Sequence, residues 1–343
     1  MKLLWIHIVE FYLKIGFKFY FKKITVSYLE KIPRDKTVLF LSNHQNALLD
    51  PLLITTKSSR KNFFLTRAAV FKSPLVAKIL NSFQMLPVYR VIDGVDIFTK
   101  NKEIFSYCSE LLHNKKSIVL FPEGSHSLRR RVRPLKKGAV RIIEETLQKY
   151  PETEIIIIPI GVNYQRPLEY GDSAMVFFGN HISPDKYWKD DKLDFNGLLK
   201  EISTELKNLT TNIESIKEYD SSLKKLIDLN VDFTNPIEVN KCLQSDFNYT
   251  GNKAKKDSSL YPFFKLLVKA FYFLPYIIWR KVAFPKINDE EFVATFRYAM
   301  ILTLAPIYLL LGVLILCLLF GKTIGLLFLI IGVLLPLITL RIK

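Results

Sequence analysis

Thr37-Val38-Leu39-Phe40-Leu41-Ser42-Asn43-His44 is the stretch that decides the fold, an apolar run of strand length that stops at polar residues. A short apolar run without alternation reads as a strand buried on both faces, as in a parallel sheet. Outward from it, residues 62–65, 85–89 and 117–121 read as further strands. Glu154-Ile155-Ile156-Ile157-Ile158-Pro159-Ile160-Gly161-Val162 is the most strand-like run of all. Residues 175–178 are expected to add an edge strand. Helical spacing lies between these runs, at 96–113 (Ile97, Ile104, Leu111 and Leu112 on one side) and at 136–149. The alternation predicts an α/β domain with a mostly parallel central sheet flanked by helices. Ligands of such sheets sit beyond the carboxyl ends of the strands.

Two polar segments fall at such ends: Ser42-Asn43-His44-Gln45-Asn46-Ala47-Leu48-Leu49-Asp50-Pro51 and Phe121-Pro122-Glu123-Gly124-Ser125. A neutral imidazole titrates near the operating pH and suits proton abstraction from an alcohol. A carboxylate on its other nitrogen would fix the tautomer. His44 and Asp50 have that chemistry, but six residues turn through about 600° on an ideal helix and leave them on different faces. Pro51 also disfavours helical dihedrals at Asp50. A turn folding the carboxylate back to the imidazole, with Asp50 as N-cap and Pro51 first in the helix, reconciles these facts. A purely capping Asp50 is an equal reading. Glu123 offers a carboxylate to hydroxyls, while the Gly124 and Ser125 amides face an anion; an ordinary strand-end turn is the alternative. Arg90 closes the strand at 85–89. Arg129, Arg130, Arg131, Arg133, Lys136 and Lys137 form the densest basic cluster, from which one or two residues are expected to reach a substrate phosphate and the rest to face lipid.

The net charge of +17 draws the chain to polyanions, and the 13% aromatic content beside long apolar runs favours a lipid surface over nucleic acid. Cys108, Cys242 and Cys317 show no Cys-x-x-Cys spacing, so no disulfide framework and no metal site is expected. In residues 1–23, Glu10, Lys14, Lys18 and Lys22 draw one charged stripe on an apolar helix. An interfacial amphipathic helix and a buried domain helix fit that stripe equally. The catalytic domain is assigned to 24–232, with a long amphipathic helix from Phe195 to Ile216. A polar linker (233–259) and an interfacial aromatic segment (260–297) follow. Asn288-Asp289-Glu290-Glu291 resembles a capping box.

Residues 298–320 and 324–340 are uncharged runs of 23 and 17 residues, separated by Gly321-Lys322-Thr323. At ~1.5 Å per residue they span roughly 35 and 25 Å. They predict a transmembrane hairpin at 298–343. Pro306 and Pro336 leave a re-entrant hairpin open as an alternative. Arg280, Lys281, Arg297, Arg341 and Lys343 lie at the ends of the hairpin against Lys322 at its tip. This predicts an integral membrane protein whose catalytic domain faces the cytoplasm.

In this order, Asn43-His44 through Asp50, the strand ending at Arg90, Phe121-Pro122-Glu123-Gly124-Ser125 and Ile158-Pro159-Ile160-Gly161-Val162 resemble the phospholipid/glycerol acyltransferase family over residues 37–164. That family includes the 1-acylglycerol-3-phosphate and glycerol-3-phosphate acyltransferases. The resemblance implies acyl transfer from an acyl-CoA or acyl carrier protein thioester to a glycerol-phosphate lipid acceptor, without a cofactor or metal. It makes His44 the base and Asp50 its orienter, and Arg90, Glu123, Gly124 and Ser125 the substrate-binding residues, with Pro159 on the acyl-chain side. Two departures stand out. Five residues (45–49) separate His44 from Asp50, where most members have four. His126 replaces the arginine that usually follows the Glu-Gly-Ser/Thr triplet, which passes phosphate binding to Arg129 or Arg130 and makes His126 a second possible base. The expected acceptor is 1-acylglycerol 3-phosphate, with glycerol 3-phosphate or another lyso-lipid as the alternative. The non-enzymatic rival is an adaptor binding anionic membrane lipid.

Overall fold

A computed structural model describes residues 2–71, 73–89, 97–189 and 192–343. Seven strands form its main sheet: β1 (Lys23–Tyr28), β2 (Thr37–Ser42), β3 (Asn62–Arg67), β4 (Met85–Val88), β5 (Ser117–Leu120), β6 (Ile155–Tyr164) and β7 (Ser173–Phe178). Their spatial order is β1-β7-β6-β2-β5-β3-β4. Every neighbouring pair is parallel except β6 and β7. This is the mostly parallel α/β sheet expected from the alternation of runs. β2 is buried along its whole length between β6 and β5, which explains its uninterrupted apolar sequence.

Alternate residues of β2 feed two cores. Val38 and Phe40 pack with Phe17 and Tyr20 of α1 (Lys2–Tyr20) and with Leu49, Leu53 and Ile54 of α2 (Leu49–Lys57). α3 (Pro74–Ser82) connects β3 to β4. Leu39 and Leu41 meet the opposite layer, built from α4 (Ile97–His113), α5 (Gly138–Lys149) and α6 (Phe195–Leu209).

The structure departs from the sequence reading in several places. Residues 173–178 are not an edge strand, because β1 pairs with β7 on its outer side. β1 escapes notice because it is half-exposed and opens on a lysine. The helix expected from Phe195 to Ile216 stops at Leu209, and Ile216 is exposed. Leu198, Ile202 and Leu206 bury its apolar face on the domain. The polar stretch 233–259 contains α8 (Pro236–Gln244), which shares a small third core with α7 (Tyr219–Asp228) through Tyr219, Leu226, Val239 and Cys242. Asp289 takes the cap position before the Glu290–Phe292 turn but makes no side-chain cap hydrogen bond there.

The N-terminal helix combines the two readings offered for it. Phe17 and Tyr20 are buried in the domain core, whereas Trp5, Ile8 and Phe11 stay exposed. α9 (Tyr261–Phe271) and α10 (Phe273–Ile278) follow, and the chain bends by 95° between them. α11 (Val293–Leu302) docks Ala294 and Tyr298 into the same core as α1, and the Tyr298 hydroxyl donates to the Leu13 carbonyl at 2.7 Å. Thr303 separates it from α12 (Leu304–Phe320), and Gly321 from α13 (Lys322–Ile342). Among the described residues, two helical stretches, Glu290–Phe320 and Lys322–Ile342, are long and apolar enough to cross a membrane. The hairpin's open end meets the domain, where Lys343 Nζ lies 2.9 Å from Glu169.

Candidate active site

β2 and β5 are parallel neighbours, so their carboxyl ends open on the same edge and bring the two polar segments together. Asn43 acts as a surrogate backbone residue. Its amide donates to the Val162 carbonyl at 3.0 Å and its Oδ1 accepts from the Val162 amide at 2.8 Å, tying the loop after β2 to β6. The Ser127 amide donates to the His44 carbonyl at 2.9 Å, and the Gln45 side chain donates to the Leu128 carbonyl at 3.0 Å. These bonds cross-link the two segments. The His44 ring stacks on Phe121 with centroids 4.0 Å apart.

Asp50 is completely buried and gathers the loop around itself. Its Oδ2 accepts from His44 Nδ1 and from the amides of Gln45 and Asn46, each at 2.8 Å. Its Oδ1 accepts from the Tyr164 hydroxyl at 2.7 Å. Asp50 is not the N-cap: α2 begins at Leu49, and Leu48 holds the cap position without a side-chain bond. The carboxylate points back to residues 44–46, so the five-residue spacing is absorbed in a turn whose amides the carboxylate itself collects. With Nδ1 donating to Asp50, Nε2 is left as the basic nitrogen of a ring that is 15% exposed.

Gly124 has φ +78°, a left-handed conformation that glycine adopts without strain, and its amide closes a turn to the Phe121 carbonyl at 3.0 Å. That turn holds Glu123, which is buried. Arg133 reaches back to it: Nε donates to Glu123 Oε2 at 2.6 Å, Nη1 to Ser125 Oγ at 2.6 Å, and Nη2 to the Ser125 carbonyl. Burial raises the Glu123 carboxyl above the ordinary range, and the Arg133 guanidinium opposes that shift. His126 sits edge-on to His44 with centroids 5.6 Å apart. Burial, then the neighbouring His44, lowers its pKa.

The structure therefore gathers His44, Asp50, Glu123, Gly124 and Ser125 at one edge. Arg90 lies outside the described residues. Arg129 and Arg130 line the same polar pocket as His44 and Glu123, and Arg129 lies over the Tyr219 ring, 5.2 Å from its centroid. Arg130 turns inward, with its guanidinium 3.7 Å from the Phe233 centroid and donating to the Gln165 carbonyl at 3.0 Å. Pro159 pairs with Leu41 inside the sheet. Gly161 admits the end of α6, since a Cβ there would stand 2.1 Å from the Leu209 carbonyl oxygen. Sequence reasoning singled out neither Arg133 nor Tyr164. Arg133 was one of six cluster cations with no spacing to mark it, and Tyr164 closes a strand that reads simply as core.

Residues 23–163 match the family model described as Acyltransferase, and this stretch is an acyltransferase domain. The chain is 28% identical over 127 residues to the chloroplastic 1-acyl-sn-glycerol-3-phosphate acyltransferase of Arabidopsis thaliana, covering 37% of this chain and 34% of that protein. It is 30% identical over 115 residues to glycerol-3-phosphate O-acyltransferase 1 of Saccharomyces cerevisiae, covering 34% of this chain and 13% of that protein. The chain thus matches about a third of the plant relative's length (34%) and less of the yeast one (13%). The crystal structure of the 1-acyl-sn-glycerophosphate acyltransferase of Thermotoga maritima aligns with a TM-score of 0.45 at 19% identity, over 61% of this chain and 81% of that one.

Proposed function

We propose that this chain transfers a fatty acyl group from an acyl-CoA or acyl carrier protein thioester to the hydroxyl of 1-acylglycerol 3-phosphate, at the cytoplasmic face of a membrane. One observation carries the reading: the Asp50–His44 pair stands beside the Glu123–Arg133 turn, at the ends of two adjacent parallel strands. His44 Nε2 takes the acceptor's proton as its oxygen bonds to the thioester carbon. The tetrahedral adduct then collapses, the C–S bond breaks, and the departing sulfur takes the proton from the imidazolium. An ester and a free thiol result, with no covalent enzyme intermediate. Arg133 and the Gly124–Ser125 turn receive the phosphate, and Glu123 orients the glycerol backbone. Holding both substrates together supplies much of the acceleration. Basic residues at both ends of the hairpin, against Lys322 at its tip, support the cytoplasmic placement.

Glycerol 3-phosphate is the second acceptor, supported by the name of the yeast relative. Purified full chain in detergent, given labelled acyl-CoA and a panel of acceptors, tests the reading. Label should pass preferentially to 1-acylglycerol 3-phosphate. Preference for glycerol 3-phosphate would move the acceptor. Lipid binding with no thioester consumed would leave an anionic-lipid adaptor and overturn the proposal.

A further inference from the structure

A cavity of about 540 Å³ lies among α1, the loop 168–170 and helices α9–α13, and it shares no lining residue with the polar pocket at His44. Its volume is that of a small-molecule site. Ile15, Phe19, Val268, Met300, Leu309 and Val333 give it apolar walls. Lys265, Lys269, Arg280 and Arg297 line the same space. The one acidic residue there, Glu169, is already engaged by Lys343 at 2.9 Å and Arg166 at 3.3 Å, so the four cations face the cavity with no free carboxylate to balance them. From Arg297, at the domain end, to Leu309, inside the hairpin, the wall descends roughly 18 Å. Aromatic rings accompany the cations: Arg297 stands 5.2 Å from the Trp279 centroid and Lys269 5.2 Å from that of Tyr276, an arrangement typical of the headgroup layer.

We propose that this cavity is a binding site for a resident anionic phospholipid, distinct from the acyl acceptor, with one acyl chain among the apolar walls and the phosphate on the Arg280, Arg297 and Lys269 cations. The walls of the site continue to the catalytic loop. Arg297 donates to the Leu168 carbonyl at 2.7 Å, and the adjacent Pro167 carbonyl accepts from Asn46 at 3.2 Å. Two residues earlier on α11, Thr295 Oγ1 accepts from the Leu48 amide at 3.1 Å. An occupied site therefore braces the segment that carries His44 and Asp50.

The test is equilibrium binding of radiolabelled dioleoyl phosphatidylglycerol to the full chain in neutral detergent, without acyl donor. Wild type should show one saturable site, competed by unlabelled phosphatidylglycerol and not by phosphatidylcholine. Met300→Trp, which fills the cavity, should abolish it. Lys269→Gln should weaken it by about fivefold, the loss expected for one headgroup charge. His44→Ala should bind as wild type, so the result stands apart from the catalytic reading. Absence of saturable binding, equal competition by phosphatidylcholine, or unchanged binding in a folded Met300→Trp chain overturns the proposal. So does displacement of the probe by 1-acylglycerol 3-phosphate, which would make the cavity the acceptor's.

Discussion

Asp50 Oδ2 lies 2.8 Å from His44 Nδ1 and accepts the Gln45 and Asn46 amides with the same atom, so one buried oxygen both orients the imidazole and shapes the loop that presents it. Asp50→Asn keeps the shape but replaces one oxygen by an amide that cannot accept. With the amide nitrogen turned to the Tyr164 hydroxyl, the remaining oxygen keeps its three donors but loses the charge that stabilises the imidazolium. Turnover should fall by roughly 10²–10⁴-fold with KM little changed. A folded Asp50→Asn chain, verified by circular dichroism, with near wild-type kcat would contradict the orienting role.

Arg133 holds Glu123 and Ser125 together by direct hydrogen bonds. Arg133→Ala should raise the acceptor KM about 10–100-fold, the worth of a charge-assisted contact. Its pH profile carries the sharper signature. Burial already raises the Glu123 carboxyl and Arg133 restrains it, so losing Arg133 lifts that pKa further. The acid limb of kcat/KM should shift to higher pH, because Glu123 then ionises later. An unmoved acid limb would sink this role for the pair.

Asp172 is a third buried carboxyl beside Asp50 and Glu123, with Oδ1 accepting from the Arg166 amide at 2.8 Å while Oδ2 has no partner. Burial raises its pKa from 3.8 to about 7. The unfolded chain releases this proton first, so between 3.8 and about 7 it binds fewer protons than the folded chain. Stability should therefore decline as pH rises through that window and level off above it. Thermal melts of Asp172→Asn across the window should lack this component of the decline; a slope identical to wild type would refute it.

The sheet was legible because β2 and β6 are almost wholly buried and carry unbroken apolar runs at 38–41 and 155–162. β1 was not, since a half-exposed edge strand has neither a continuous apolar run nor clean alternation. The end of α6 was hidden for a different reason: Ile213 continues the helical spacing but belongs to the small third core, reached after the chain leaves the helix. His44, Asp50 and Glu123 could be named because strand ends collect chemistry in parallel sheets. Arg133 and Tyr164 could not, because their partners lie ten and 114 residues away along the chain, and only tertiary packing selects them.

The central claim is that the His44 imidazole is the base for acyl transfer. The direct measurement is single-turnover formation of labelled diacylglycerol phosphate by His44→Ala beside wild type, in matched detergent with both chains shown to be folded. The account predicts loss of transfer by at least about 10²-fold with thioester and acceptor binding retained. Wild-type-like turnover in the folded variant would contradict it.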